Sequence, residues 1–392
     1  MNDNLRPDNE SMNLLNECAK EITAHKFNQL GYPFDQDTPF HEFYKWLSDT
    51  KLCDVTLINV GSPYKTDWDM LNTDYFERQS IDFIAKHFGF SGSHWWVIAN
   101  GGTHGNMHGI YFGRKALAAK SPLPPILYVS TEAHYSLQKI GDIQNIEVRP
   151  IRAHEMGQMD IEDFANKLDP SRPALVAIAI GGTFKGAIDD QKAIDEVLRI
   201  KNPVASYRHL DVALFGGYLP FINDPAAREI VDVSKMNYDS LAVSGHKFLG
   251  LNEPAGIFIC HKDILKLVEG APIPYLKYSI PTISCSRSGF DALKLYWHIK
   301  SLGEEGFRAQ ANHVLKMGKL LEESLSKKGV RARRNPYSNT VFFPRPQEAI
   351  VKKYAMACND DHVFGKLSHI VAMQYFTPEL VEKISSDIAK NA

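Results

Sequence analysis

An amine, a carboxylate, an imidazole and a glycine-rich segment stand in this sequence where they could act on one ligand. Lys247 closes the motif Ser244-Gly245-His246-Lys247, directly after the apolar run 241–243. A lysine becomes a nucleophile toward an aldehyde when burial disfavours its charged form, and strand ends in open α/β sheets face the ligand crevice. Ser244 and His246 add donors that suit a phosphate beside that amine. By itself the motif also fits a lysine on a surface loop. Asp211 interrupts the apolar stretch His209-Leu210-Asp211-Val212-Ala213. A buried carboxylate needs a positive partner or a set of donors; a protonated ring nitrogen would serve, and so would backbone N–H groups. His134, in Ser130-Thr131-Glu132-Ala133-His134-Tyr135-Ser136, could stack its flat ring on a flat ligand or be a structural histidine. Gly101-Gly102-Thr103-His104-Gly105-Asn106 joins a strand-like run to a helix-like one. Such a join offers backbone N–H groups and a helix dipole to an anion, although a plain tight turn reads the same way. Its spacing is neither that of a Rossmann fingerprint nor that of a Walker loop. Taken in order, the four features fit one ligand: an aromatic ring bearing a phosphate and an aldehyde.

The elements that must hold these residues alternate along the chain. Apolar residues at helical spacing over 75–88 (Phe76, Ile81, Ile84, Ala85, Phe88) predict a helix that stops at Gly89. The run Trp95-Trp96-Val97-Ile98-Ala99 predicts a strand over 94–100 that feeds the glycine-rich turn, and a helix is expected over 107–119. Short apolar runs at 125–129, 174–180, 209–215, 241–243 and 256–260 predict further strands. Strands separated by helical stretches argue for an α/β fold with a mainly parallel sheet covered on both faces. A long helical pattern over 290–328, the run Val341-Phe342-Phe343 and a terminal helix near 377–390 predict a smaller α+β domain. The expected division is an N-terminal arm over 1–45, which includes the extended segment Gly31-Tyr32-Pro33-Phe34, a large domain over 46–285 and a small domain over 286–392.

Composition narrows the class. The chain has 392 residues, 44% hydrophobic and 23% charged, enough for a large core. Its net charge of −2 comes from dispersed charges, so no nucleic-acid or membrane-binding field is expected. Residues 1–16 are polar, unlike a signal peptide, and no run reaches the roughly 18–20 apolar residues of a membrane span. The five cysteines form no C-x-x-C pair, which suggests a reduced, cytoplasmic protein without a structural metal.

From about Gly31 to the C-terminus the sequence resembles the group II pyridoxal-phosphate (PLP)-dependent amino-acid decarboxylases, most of all the compact bacterial histidine decarboxylases and the plant serine decarboxylases. The resemblance is dense at Phe76-Glu77-Arg78, Asn100-Gly101-Gly102-Thr103, His134-Tyr135-Ser136, Gly186-Ala187-Ile188-Asp189-Asp190 and Val243-Ser244-Gly245-His246-Lys247. It implies fold type I, the aspartate-aminotransferase-like PLP-dependent transferase fold, with a mostly parallel seven-stranded sheet in the large domain. It also implies a homodimer with active sites at the interface. By position, Lys247 would hold pyridoxal 5'-phosphate as a Schiff base, Asp211 would pair with the pyridine nitrogen, and His134 would stack on the ring and lie against the substrate. Gly102, Thr103, Asn106, Ser244 and His246 would surround the phosphate, while Thr183 and Ala213 would line the ring. The proton returned to Cα would come from Tyr275 or Tyr278 in the 271–285 loop, or from His134.

The departures from that family gather near the expected substrate. His104 stands where the family has Glu in Gly-Thr-Glu-Gly-Asn, and Gly61-Ser62 where it has Gly-Asp. The run Gly181-Gly182-Thr183 replaces Gly-Thr-Thr, Val212 replaces the first Ala of His-x-Asp-Ala-Ala, and Asn252-Glu253-Pro254-Ala255-Gly256 replaces Pro-x-Pro-Cys-Gly. Cys285-Ser286-Arg287-Ser288-Gly289-Phe290 replaces Gly-Ser-Arg-Asn-Gly-His. Loss of two carboxylates and gain of a histidine would disfavour a cationic substrate side chain, or the changes could lie one layer away and leave specificity alone. Ser62, His104, Arg287 and Ser338 are therefore candidate substrate contacts, with Arg287 either binding a carboxylate bidentately or holding an interface. The expected reaction is decarboxylation of an L-amino acid, with histidine as the default and serine or an acidic amino acid behind it. Decarboxylation coupled to oxidative deamination, a lyase or a transaminase reaction would use the same cofactor site. A non-catalytic scaffold is a further reading, against which Lys247, Asp211 and His134 argue.

Overall fold

Alternation sets the core of this molecule. In the computed structural model, which describes residues 6–64, 71–268, 270–274 and 278–391, successive residues of the central strands point to opposite faces of one sheet. Trp96, Ile98 and Tyr128 enter one apolar layer, and Trp95, Val97 and Leu127 enter the other.

Helices α1 (Asn9–Ala24) and α2 (His41–Asp49) precede the short strand β1 (Ile58–Val60) and helix α3 (Asp74–His87). Strand β2 (His94–Ala99) runs into α4 (Gly101–Ala118), followed by β3 (Ile126–Ser130), α5 (Ser136–Ile143) and β4 (Glu147–Ile151). Then come α6 (Ile161–Lys167), β5 (Ala174–Ala179), α7 (Gln191–Lys201), β6 (Ser206–Asp211) and α8 (Pro225–Glu229). Strands β7 (Ser240–Ser244) and β8 (Gly256–His261), helix α9 (Lys262–Val268) and strand β9 (Ser286–Ser288) lead to the long helix α10 (Gly289–Lys327). The chain ends with β10 (Thr340–Pro344), α11 (Glu348–Lys353), β11 (Ala357–Asp361), β12 (Gly365–Val371) and α12 (Pro378–Ala389).

The seven-stranded sheet has the order β2-β8-β7-β6-β5-β3-β4, and only β8 runs against its neighbours among the described residues. β3, β5, β6 and β7 therefore end at one edge, the same edge at which β2 turns into α4. A three-stranded antiparallel sheet, β10-β12-β11, carries a second core with α10 and α12. The apolar face of α10 serves both: Leu295, Ile299 and Val314 pack on the large core, Met317, Leu321 and Leu325 on the small one. Gly303 breaks that helix with φ 64° and ψ 174°.

Two expectations shift. The glycine-rich segment is the first turn and more of α4 and not a turn before a helix at 107, because Gly101, at φ 72°, lets the chain enter the helix directly. Asp211 is the last residue of its strand, not an interior one, since β6 starts at Ser206 and ends there. Strand β4, half-polar in sequence (Glu147-Val148-Arg149-Pro150-Ile151), gave no apolar signal and forms a sheet edge. No helix among the described residues is long and apolar enough to cross a membrane.

Candidate active site

Where parallel strands end, backbone groups and side chains converge on one crevice. Here a cavity of about 510 Å³ opens at that edge. Asp211 ends β6, Ser244 ends β7, and His134, Thr183 and Lys247 lie on the loops that follow β3, β5 and β7; all five line it. So do Gly102, Thr103 and Asn106 from α4, together with Ala213 and His246. Residues scattered from Gly102 to Lys247, more than a third of the chain, thus share one wall because their strands are parallel neighbours.

Lys247 keeps part of its surface open to the cavity, and burial lowers its pKa, with the nearby Asp211 carboxylate opposing that shift. No ion pair to Lys247 occurs among the described residues. Asp211 is 7% exposed; Asn106 Nδ2 donates to its Oδ2 at 2.9 Å and the Ala213 N–H to its Oδ1 at 3.2 Å. His134 Nδ1 lies 2.7 Å from Ser136 Oγ and accepts from the Ser136 N–H at 3.3 Å. Its Nε2 is thereby the ring's donor. Burial lowers the His134 pKa, while Asp211 raises it and Lys247 lowers it further.

At the other end of the cavity, α4 has no side-chain cap, so its first N–H groups lack a partner within the helix. A side chain at Gly102 would overlap Ser244 Oγ, so a serine hydroxyl occupies the space against the helix start. His246 stands beside it, its Nδ1 3.1 Å from the Ala255 carbonyl oxygen and its pKa lowered by burial. An uncapped helix start, a carboxylate and an amine with a depressed pKa in the wall of one cavity fit a ring that carries a phosphate, an aldehyde and a basic nitrogen.

Several expected contacts fall elsewhere. Asn106 lines the cavity but spends its amide on Asp211, so it belongs to the carboxylate end and not to the phosphate end. Arg287 already has its carboxylate: β9 pairs with β1, which turns the guanidinium onto the buried Glu77, with Gly61 O accepting at 3.2 Å. Ser62 is buried and accepts from the Tyr64 N–H at 3.4 Å. His104 faces away, toward the Asn100 N–H at 3.3 Å and Ser284 Oγ at 3.4 Å. Ser338 is sealed inside, accepting from the Thr340 N–H at 3.0 Å. Tyr278 is 8% exposed and packs beside Gly61, while Tyr275 lies outside the described residues. None of Arg287, Ser62, His104, Ser338 or Tyr278 lines the cavity of this chain.

The remaining wall was not anticipated. Tyr32 and Phe34 come from the extended aromatic segment, whose composition was visible but whose destination was not. The rings of Phe184 and His369 lie 4.5 Å apart, tilted by 31°, and His369 Nδ1 and Nε2 lie 2.7 and 3.0 Å from the carbonyl oxygens of Phe184 and Gly31. Nothing in the sequence around His369 signals that role.

A sheet whose strand ends enclose such a cavity defines the class, an α/β enzyme with its ligand site at the carboxyl edge. Residues 114–332 match the family model described as the pyridoxal-dependent decarboxylase conserved domain. The chain is 32% identical to histidine decarboxylase of Mesorhizobium japonicum, covering 91% of this chain and 93% of that one. It is 30% identical to serine decarboxylase 3 of Oryza sativa subsp. japonica, covering 92% and 78%. Its fold matches that of L-methionine decarboxylase from Streptomyces sp.590 with a TM-score of 0.84 at 20% identity, over 99% of this chain and 95% of that one. The chain belongs to the pyridoxal-dependent decarboxylase family: it is a carboxy-lyase of fold type I that uses pyridoxal 5'-phosphate to decarboxylate an amino acid.

Proposed function

We propose that the substrate is an L-amino acid with a neutral side chain, histidine giving histamine as the default, and that Lys247, Asp211 and His134 carry the reaction. Pyridoxal phosphate, when bound, supplies an electron sink for the pair released as the Cα–carboxylate bond breaks. Lys247 would offer the amine that holds the cofactor's aldehyde carbon, favoured by burial that disfavours its charged form. Asp211 offers its carboxylate to the ring nitrogen. His134 offers a ring face for stacking, and its Nε2 is a donor aimed away from Ser136. Gly102, Thr103, Ser244 and His246 would receive the phosphate. The Cα proton would come from His134 or from a tyrosine of the 271–285 loop, Tyr275 or Tyr278.

One observation carries the substrate reading. Among the described residues lining the cavity, Lys247 is the only Lys or Arg and Asp211 the only Asp or Glu. Once those two engage the cofactor, an acidic side chain finds no cation, and a cationic one no anion, among the described wall residues of this chain. The aromatic wall of Tyr32, Phe34, Tyr135 and Phe184 suits a flat, neutral imidazole. Serine is the second reading, supported by the likeness to the rice serine decarboxylase. The 1–45, 46–285 and 286–392 division goes with this proposal, although α10 keeps its first half on the large core.

A homodimer completes it. α1 buries none of its residues, and Leu14, Leu15 and Ile22 on it are 63%, 56% and 67% exposed, while Tyr135 at the cavity mouth is 62% exposed. Surfaces of this kind are commonly covered by a second subunit. A cytoplasmic location agrees with five free cysteines.

The test offers each of the twenty amino acids to PLP-loaded protein and measures CO2 together with amine, or aldehyde plus ammonia. Release of CO2 and histamine from histidine supports the reading; activity confined to aspartate or glutamate refutes the substrate. Lys247→Ala should lose both turnover and the absorbance band near ~420 nm that borohydride abolishes in the wild type. A monomer at micromolar concentration by light scattering would remove the dimer.

A further inference from the structure

Behind Asp211 a chain of buried polar groups runs from Asn106 in the cavity wall into the interior. Asn106 Nδ2 donates to Asp211 Oδ2 at 2.9 Å, His209 Nε2 lies 3.0 Å from Asn106 Oδ1, and His209 Nδ1 lies 2.8 Å from Ser240 Oγ. Asn106, His209 and Ser240 are 2%, 0% and 0% exposed. They come from α4, β6 and β7, three elements that also carry the glycine-rich segment, Asp211 and the approach to Lys247.

The chemistry allows one direction only. A carboxylate accepts and cannot donate, so Asn106 must turn its Nδ2 to Asp211 and its Oδ1 to His209. That oxygen needs a donor, which puts a proton on His209 Nε2. Nδ1 is then bare and accepts from the Ser240 hydroxyl. Burial pushes the His209 pKa down to about 3, so the ring stays neutral with a single proton to place. Gly109 makes the approach possible, because a Cβ there would fall inside the His209 ring.

We infer that Ser240, His209 and Asn106 form a one-way hydrogen-bond relay that orients the Asp211 carboxylate toward the cofactor's ring nitrogen, with His209 as a positioning residue. The inference rests on the reading of Asp211 given above. Without the His209 donor, Asn106 Oδ1 is left buried without its partner, and the amide loses the contact that holds its Nδ2 in place on the carboxylate. Because Asn106 sits on the helix whose start faces the phosphate end, the relay also fixes how far that end lies from Asp211.

Full-length wild type, His209→Leu, His209→Gln and Asp211→Asn are compared for PLP dissociation constant, for the pH dependence of the bound-cofactor spectrum, and for kcat and KM. His209→Leu removes the donor and should weaken PLP binding by roughly 10- to 100-fold, the scale of an orphaned buried hydrogen-bond partner. It should also move the spectral pH dependence. His209→Gln can donate from Nε2 and should recover cofactor affinity to within about threefold of wild type, a difference of less than 1 kcal/mol. If Leu and Gln variants of unchanged melting temperature behave alike, His209 is only packing and the relay is wrong. If Asp211→Asn binds PLP with wild-type affinity and spectrum, the Asp211 reading fails whatever His209 does. Should the Leu variant not fold, ¹⁵N-histidine NMR of the wild type decides: a proton on Nε2 with bare Nδ1 is expected, and a proton on Nδ1 overturns the proposal.

Discussion

Arg287 shows how a single residue's meaning depends on what it can reach. A guanidinium near a substrate pocket invites a substrate carboxylate, yet Arg287 is buried against Glu77, itself 0% exposed. Glu77 also accepts from the Ile98 N–H at 3.0 Å and from Asn59 Nδ2 at 3.0 Å, so the pair ties α3, β1 and β2 together. Removing one partner of such a pair leaves a buried charge uncompensated. Arg287→Ala is expected to cost about 3–5 kcal/mol of stability in a urea titration. A substrate role would instead raise KM and leave the titration unchanged. The same logic separates Asn106 from its expected phosphate role: its amide is already bound to Asp211.

At the scale of elements, the site depends on how closely α4 lies against the sheet. Gly105, Gly109 and Gly113 fall on one face of that helix, and a Cβ at any of them would crowd Ala242, His209 or Tyr207 on the strands below. Small residues on this face let the helix backbone approach the strands, which brings its N-terminus over Ser244 and Asn106 within reach of Asp211. Gly109→Ala should therefore destabilise the protein by about 1–3 kcal/mol through overpacking. Because the added methyl displaces His209 first, PLP affinity should fall in the same variant, measured by cofactor titration. Wild-type stability and affinity together would show that the helix can shift without consequence. Glycines in a helix-like stretch were visible in the sequence, but the strand residues they face were not.

For the whole molecule, buried ionisable groups set the response to acid. Burial holds His108 and His209 at about 3 and His298 at about 4, all below the ordinary 6.5. Between those values and 6.5 the unfolded chain binds protons that the native state does not, so stability is complete above 6.5 and falls as the pH drops. Asp189 and Asp291, raised by burial to about 6 from 3.8, act in the opposite sense, because the native state binds their protons more tightly between 3.8 and 6. Three histidines with the larger displacements outweigh two aspartates. The urea midpoint should fall steadily from pH of about 7 to about 4.5, and His298→Phe should flatten part of that slope. A midpoint that rises with acid would mean the carboxylates dominate.

Local pattern was enough for much of this protein. Short continuous apolar runs marked most of the central strands, which are buried on both faces, and the ordered set of glycine-rich segment, His134, Asp211 and Lys247 pointed to the cofactor, because such chemistry needs those residue types at strand ends whatever the rest of the fold does. The edge strand β4 escaped, since Ile151 alone of its five residues is fully buried and the polar Glu147 and Arg149, with Pro150, interrupt the apolar run. Only the tertiary structure decided which side chains those residues meet. That Asn106 serves Asp211, that Arg287 is held by Glu77, and that His369 closes the cavity between Phe184 and Gly31 are contacts between residues far apart in the chain. Hydrogen bonds and ion pairs act over a few ångströms in space, and sequence spacing carries no record of which strands and helices the fold lays side by side.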